Sequence, residues 1–185
     1  MPPPDLSLYN NSWYSSGRSR LIEALWFFFG LPIVRSCLIP SSALRTGILQ
    51  IFGAKIGKNV VLKPGIRVKY PWLLSVGDYS WIGEDVWIDN LTLVAIGANV
   101  CVSQGAYLCT GNHDWSDPAF GLIVKPIELE AGVWVGARVV ICPGVRVERC
   151  GVIVAGSVVT KDVLAFEIHS GNPAQLLRRR EFLTY

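Results

Sequence analysis

The sequence predicts an all-β fold: a parallel β-helix of short strands, three to a coil, preceded by a helical segment and followed by a short tail. Three observations carry this. Aliphatic residues recur every six positions, at fifteen places from Ile56 to Val159, and each is Ile, Leu or Val. A six-residue period is neither helical nor that of a plain strand; it suits flat strands joined by tight turns and stacked coil on coil. Glycine and β-branched residues are also too dense between 56 and 164 for helix. An ordinary β-sandwich would show period-two alternation with variable turns instead.

Composition sets the outer bounds. In 185 residues, 51% hydrophobic and 17% charged, there is ample apolar material for one domain with an appended segment. A formal net charge of +3 is too small to argue for a nucleic-acid partner. The five cysteines (Cys37, Cys101, Cys109, Cys142, Cys150) are odd in number and form no CxxC pair. That speaks against a structural zinc site or a secreted disulfide framework, and for reduced thiols in a cytoplasmic protein.

The N-terminal segment, residues 1–50, opens with Met1-Pro2-Pro3-Pro4 and stays polar to about Arg20, without the pattern of a cleaved signal peptide. Leu21 to Val34 is apolar, but Glu23 stands at its start, Pro32 breaks it and Arg35 follows. Its uncharged part is shorter than the roughly 20 residues needed to cross a bilayer. The pattern predicts a helix from Ser19 to Gly30 that covers the scaffold or meets another subunit. Trp26 to Phe29 give it a second reading, as a peripheral contact with a membrane.

The β-helix is expected over residues 51–165. Its aliphatic column starts with Ile56, Leu62 and Val68, resumes after a two-residue insertion at Val76, Ile82 and Ile88, and after another at Ile96, Val102 and Leu108. Beyond a long interruption it runs unbroken through Leu129, Val135, Ile141, Val147, Ile153 and Val159. One aliphatic side chain per strand points inward and stacks on its equivalent in the next coil, with backbone groups paired between coils about 4.8 Å apart. The residue after the aliphatic is glycine at Gly57, Gly77, Gly83, Gly97 and Gly136, where it is expected to supply positive φ at the corners. Residues 166–185 form the tail.

The interruption, an extruded loop over about residues 111–126, begins Gly111-Asn112-His113-Asp114-Trp115-Ser116-Asp117-Pro118. Long loops on rigid scaffolds tend to carry function. His113 opens this one, at the end of the third coil; the other histidine, His169, lies past the repeats. A free imidazole titrates near pH 6.5, which suits proton removal around neutrality. His113 is therefore the candidate general base, with Asp114, Asp117 and Glu128 as candidate orienting partners. Cys109, close by in sequence, keeps an acyl-cysteine route open, although such cysteines mostly fill small-residue positions. Two histidines cannot supply a three-histidine metal site within the chain, and no metal is expected.

The hexads resemble the hexapeptide-repeat acyltransferases, whose fold is a left-handed parallel β-helix; the handedness rests on that resemblance, which covers about residues 45 to 175. Trp81-Ile82-Gly83-Glu84-Asp85-Val86-Trp87-Ile88-Asp89-Asn90, Gln104-Gly105-Ala106-Tyr107-Leu108-Cys109-Thr110-Gly111-Asn112-His113-Asp114 and Gly121-Leu122-Ile123-Val124-Lys125-Pro126-Ile127 are similar to the colanic acid biosynthesis acetyltransferases. These are relatives of the maltose, galactoside and nodulation-factor O-acetyltransferases. Ala155-Gly156-Ser157-Val158-Val159-Thr160-Lys161-Asp162, followed by Gly171-Asn172-Pro173-Ala174, is similar to the coenzyme A end of such enzymes.

The resemblance implies acetyl-CoA as co-substrate, a sugar or glycan acceptor from exopolysaccharide biosynthesis at the inner membrane, and a homotrimer with acetyl-CoA in the grooves between subunits. It implies direct transfer in a ternary complex, with His113 taking the hydroxyl proton and a backbone N–H near Gly136 or Ala137 holding the oxyanion. Asn90 stands where related enzymes hold the acceptor by an amide, and reads equally as a corner asparagine; Asp89 and Asp114 are candidate helpers. Trp134 matches an aromatic beside the pantetheine channel, or is a packed surface aromatic. Lys161 and Arg178-Arg179-Arg180 are candidates for the CoA phosphates, a solvated end being the plainer reading of the arginines. Serine acetyltransferase is a rival enzyme, and a non-catalytic β-helix scaffold is the rival of a different class.

Overall fold

In a computed structural model the chain is described over residues 3–182, so the first two residues of the N-terminal segment and the last three of the tail lie outside the described residues. The aliphatic column folds as its period requires. The first coil is β1 (Lys55–Ile56), β2 (Val61–Leu62) and β3 (Arg67–Val68); the second is β4 (Leu74–Val76), β5 (Trp81–Ile82) and β6 (Trp87–Asp89). The third is β7 (Val94–Ile96), β8 (Cys101–Val102) and β9 (Tyr107–Cys109). After the hairpin β10 (Gly111–His113) and β11 (Leu122–Val124) come β12 (Ile127–Leu129), β13 (Trp134–Val135) and β14 (Val140–Ile141), then β15 (Arg146–Val147), β16 (Val152–Ile153) and β17 (Val158–Val159). Every first strand of a coil joins one parallel sheet, every second another and every third the last. The result is the expected all-β left-handed parallel β-helix, a three-faced prism.

Register explains the core. On the first face Ile56 pairs with Val76, Val76 with Ile96, Ile96 with Leu129 and Leu129 with Val147, so the aliphatic residues sit directly over one another. All fifteen are buried except Ile56, which packs partly buried at the open end of the column. Removing each such side chain from water is worth about 1.5–3 kcal/mol.

The corner glycines correct the expectation placed on them. Positive φ falls elsewhere, three residues after the aliphatic one, at Asn59, Asp85, Asn99, Gly105, Gly144 and Gly156 among others. Gly83 is needed because coils approach too closely there: a Cβ would lie 2.6 Å from the amide nitrogen of Gln104. Its smallness, not its flexibility, serves the fold.

The two short insertions and the long one share one edge of the prism. Each interrupts the passage from the third face back to the first: at Pro71–Leu73, at residues 90–93, and at the β10–β11 hairpin. They stack as the coils do. The Asn90 amide grips the Tyr70 backbone from both sides, accepting from its N–H at 3.0 Å and donating to its carbonyl at 2.7 Å. Thr110 in turn donates its backbone N–H and its hydroxyl to the Asp89 carbonyl, at 3.2 and 3.1 Å.

The helical segment runs further than Gly30. It comprises α1 (Arg20–Leu25), a π-helical turn Trp26–Gly30 and α2 (Leu31–Arg35). Pro32 does not break it, because the preceding turn is widened, with the Leu31 N–H bonding the Trp26 carbonyl five residues back. Trp26 is buried and donates to the Val68 carbonyl at 3.1 Å, fixing the helix across the third face. A further helix, α3 (Ser42–Ile51), went unforeseen; Ser41 caps it by accepting from the Leu44 N–H at 3.2 Å. Its buried Arg45 ties the α2–α3 connection through the carbonyls of Val34, Ser36, Ile39 and Ser41.

The described part of the tail, residues 166–182, forms a hairpin on the second face. β18 (Glu167–Gly171) adds to β16 in parallel and β19 (Ala174–Arg179) turns back antiparallel, extending the second face. Arg180, expected to be solvated, donates to the carbonyls of Gly132 at 3.0 Å and Cys150 at 3.2 Å; Arg178 and Arg179 are exposed.

Candidate active site

The inserted edge builds a cleft of about 640 Å³ with His113 in its wall. Tyr70 comes from the first insertion, Leu91 from the second, and His113 and Leu122 from opposite strands of the hairpin. The opposite wall is the N-terminal segment, folded back over the edge as a strap and supplying Tyr9, Tyr14, Arg18, Arg20 and Glu23. Three hydrogen bonds hold the strap. The Asp5 N–H donates to the Pro118 carbonyl at 2.9 Å, the Tyr14 hydroxyl to the Leu91 carbonyl at 2.8 Å, and the Trp72 indole to the Ser16 carbonyl at 2.7 Å. Burial, and then the neighbouring Tyr70, push the Tyr14 hydroxyl up, and burial does the same for Tyr70. Both remain neutral donors around pH 7.

None of the three carboxylates expected to orient His113 touches its ring in the hydrogen-bond pattern. The Phe120 carbonyl does, 2.9 Å from Nδ1. A carbonyl oxygen only accepts, so Nδ1 carries the proton and Nε2 is left with its lone pair. The Phe120 ring stacks on the imidazole at 4.5 Å and 11°, and the Tyr9 ring lies 5.5 Å from the imidazole, tilted by 58°. Asp114 accepts from the N–H and hydroxyl of Ser116, which holds its carboxyl below the usual carboxylate range. Glu128 is exposed and faces Arg146 at 3.6 Å.

The other expected residues separate into two groups. Asn90 is fully buried with its amide on the backbone of Tyr70, a residue of the cleft wall. Asp89 lies 3.0 Å from the Lys69 ammonium and accepts from the Tyr107 hydroxyl at 3.0 Å. Trp134, Gly136, Ala137 and Lys161 line no part of the His113 cleft. Trp134 is half-exposed on the second face and donates to the Ser103 hydroxyl at 3.0 Å. The Gly136 N–H is taken by the Ile153 carbonyl at 2.8 Å. Cys109 donates its thiol to the Gly111 carbonyl at 3.0 Å.

Sequence reasoning missed the strap and Lys69. The available signal was the run Tyr9-Asn10-Asn11-Ser12-Trp13-Tyr14-Ser15-Ser16, polar yet rich in aromatics. A second, apolar cleft of about 600 Å³ lies between the helical segment and the third face, with Phe27, Phe28, Leu31 and Trp87 in its walls. It shares Arg20, Glu23, Lys69 and Tyr70 with the first. Phe27, Phe28 and Phe29 are each more than 60% exposed. Among the described residues, no helix is long and apolar enough to cross a membrane and no group of three His, Cys, Asp or Glu side chains is placed to hold a metal.

Comparison with known proteins bears on this geometry. No family model matches the chain. It is 42% identical over 136 residues to a protein of Escherichia coli (strain K12) that bears the name colanic acid biosynthesis acetyltransferase WcaF, covering 74% of this chain and 75% of that one. Galactoside O-acetyltransferase of the same organism is 28% identical over 141 residues, 72% of this chain and 68% of its own. Among solved structures, the hexapeptide-repeat-containing acetyltransferase VCA0836 from Vibrio cholerae superposes with a TM-score of 0.79 at 27% identity, over 89% of this chain and 95% of that one. The same Vibrio protein complexed with acetyl-CoA matches with a TM-score of 0.79 at 25% identity, over 88% of each chain.

Proposed function

The chain belongs to the hexapeptide-repeat acetyltransferases, enzymes that use acetyl-CoA, and from that premise we propose that it acetylates a sugar hydroxyl in exopolysaccharide biosynthesis of the colanic acid kind. One observation carries the reading: a histidine in a polar cleft whose Nδ1 is tied to a carbonyl and whose Nε2 is free to accept a proton. His113 Nε2 takes the proton of the acceptor hydroxyl as its oxygen bonds to the thioester carbon. The tetrahedral oxyanion is held by the Ala137 N–H. Collapse breaks the carbon–sulfur bond, and the imidazolium returns the proton to the departing CoA thiolate. General base catalysis of this kind contributes typically about 10²–10⁴-fold, and positioning of the two substrates contributes more.

Trp134, Ala137 and Lys161 lie away from the His113 cleft, which supports a site completed by a second subunit. A homotrimer then joins the His113 cleft of one protomer to the acetyl-CoA-binding face of the next. The exposed Phe27-Phe28-Phe29 ridge beside the apolar cleft supports peripheral contact with the inner membrane, where glycan precursors are assembled. The test is acetyl transfer from acetyl-CoA to a panel of fucosides, galactosides and glucosides, with serine beside them. Turnover of a sugar is expected; turnover of serine alone overturns the acceptor class. Light scattering tests the assembly, and a fully active monomer contradicts the shared site.

A further inference from the structure

Resting on the reading of His113 as general base, we propose that Asp117 is its positioning residue, acting at one remove. Its carboxylate builds the turn whose Phe120 carbonyl fixes the imidazole in the tautomer that leaves Nε2 able to accept a proton.

The turn would not hold itself. Phe120 adopts φ 53°, the left-handed region, although it is not glycine. That conformation costs an ordinary L-residue about 1–2 kcal/mol, so something must offset it. Three consecutive amides converge on Asp117. Its Oδ1 accepts from the Ala119 N–H at 2.9 Å, its own carbonyl from the Phe120 N–H at 2.9 Å, and its Oδ2 from the Gly121 N–H at 3.3 Å. The carboxylate thus grips the residues on both sides of Phe120, and the left-handed step swings the Phe120 carbonyl to His113 Nδ1. Gly121 fits closely beneath it, since a Cβ there would lie 3.0 Å from Asp117 Oδ2. The Gly121 carbonyl then accepts from the Asp114 N–H at 2.8 Å, locking the turn to the residue after His113.

The tautomer decides function because neutral imidazole carries one proton on either nitrogen. With the proton on Nε2, the ring would donate to the acceptor hydroxyl and could not take its proton. The carbonyl of Phe120 excludes that state. A carboxylate expected to face the histidine directly works instead through a backbone carbonyl.

The experiment is nitrogen NMR of the full chain with ¹⁵N-labelled histidine, alongside steady-state kinetics. There are two histidines, and a His169→Gln variant assigns the spectrum. In the wild type, His113 should show one neutral tautomer, protonated at Nδ1. In Asp117→Ala the Nε2-protonated form should appear and kcat should fall about 10–100-fold, with KM for acetyl-CoA unchanged. Asp117→Asn keeps an oxygen for Ala119 but offers Gly121 no acceptor, and should fall between; it decides the matter if the alanine variant does not fold. An unchanged tautomer in a variant, with or without a loss of kcat, overturns the proposal. If instead His113→Asn retains full turnover, the general-base reading fails, while the spectra still decide whether Asp117 sets the tautomer.

Discussion

Two passages on the same edge of the prism join the third face to the first. In the fourth coil the passage is a single tight corner at Gly144, φ 86°, between Ile141 and Val147. One coil earlier it is the hairpin with His113, the strap and the cleft. The plain corner needs only a small residue in left-handed geometry. The elaborated one needs a buried asparagine clamping Tyr70, a left-handed phenylalanine, an aspartate gripping three amides and a segment from 77 residues away bonding Leu91. The difference teaches where stability and chemistry are kept apart. Columns of stacked aliphatics hold the fold, and the edge is left to arrange polar groups.

The sharpest way to break that comparison is to cut into each region. Ile141→Ala, in the column, should cost about 2–5 kcal/mol in denaturant unfolding. Leu122→Ala, half-buried in the hairpin, should cost less than about 1.5 kcal/mol. Equal losses would mean that the hairpin is part of the core after all.

The two kinds of glycine give a finer test. Gly83→Ala drives a methyl group against the next coil's backbone and should cost about 1–3 kcal/mol. Gly156 has φ 75° and open space around its Cβ position, so the cost of Gly156→Ala is conformational, about 1–2 kcal/mol. Gly156→Asn should recover most of that, because asparagine tolerates left-handed geometry; the same residue at Gly83 should be worse than alanine. Thermal melting of the four variants checks the order.

Tyr14→Phe removes one strap bond, worth about 0.5–1.5 kcal/mol, and should raise KM for the acceptor while leaving that for acetyl-CoA alone. It also has a pH signature. The Tyr14, Tyr70 and Tyr107 hydroxyls are all pushed up in the fold, with burial the largest cause in each. Above about pH 10 the unfolded chain loses these protons while the folded chain keeps them, so stability falls as pH rises through that range. Below it these tyrosines add no pH dependence. Melting curves from neutral to alkaline pH should show the decline, shallower in Tyr14→Phe. The smallest effect is expected from Cys109→Ala, whose turnover should stay within roughly twofold if the thiol only fills space.

The same contrast explains what was legible in the sequence. The column from Leu62 to Val159 could be read because each inward residue obeys one local period. His113 could be read because it opens the one long break in that period. The orienting group could not, since a backbone carbonyl leaves no mark in residue identity and Phe120 is an unlikely occupant of left-handed geometry. Asn90 drew attention by residue type, but its amide turned out to clamp the coil below. The strap left only its aromatic-rich polar run as a signal, because Tyr9, Tyr14 and Glu23 reach the cleft through contacts distant in sequence. α3 was missed although Ser41 marks its start, because Arg45 and Gly47 give its face no clear apolar stripe.

The most direct measurement of the central claim is turnover of His113→Asn and His113→Ala beside acetyl-CoA affinity by calorimetry. The edge lies outside the stacked core, so both variants should fold and bind acetyl-CoA within a few-fold of the wild type. Turnover on the true acceptor should fall by about 10²-fold or more. Full activity in both variants would contradict the account and move the active site away from the inserted edge.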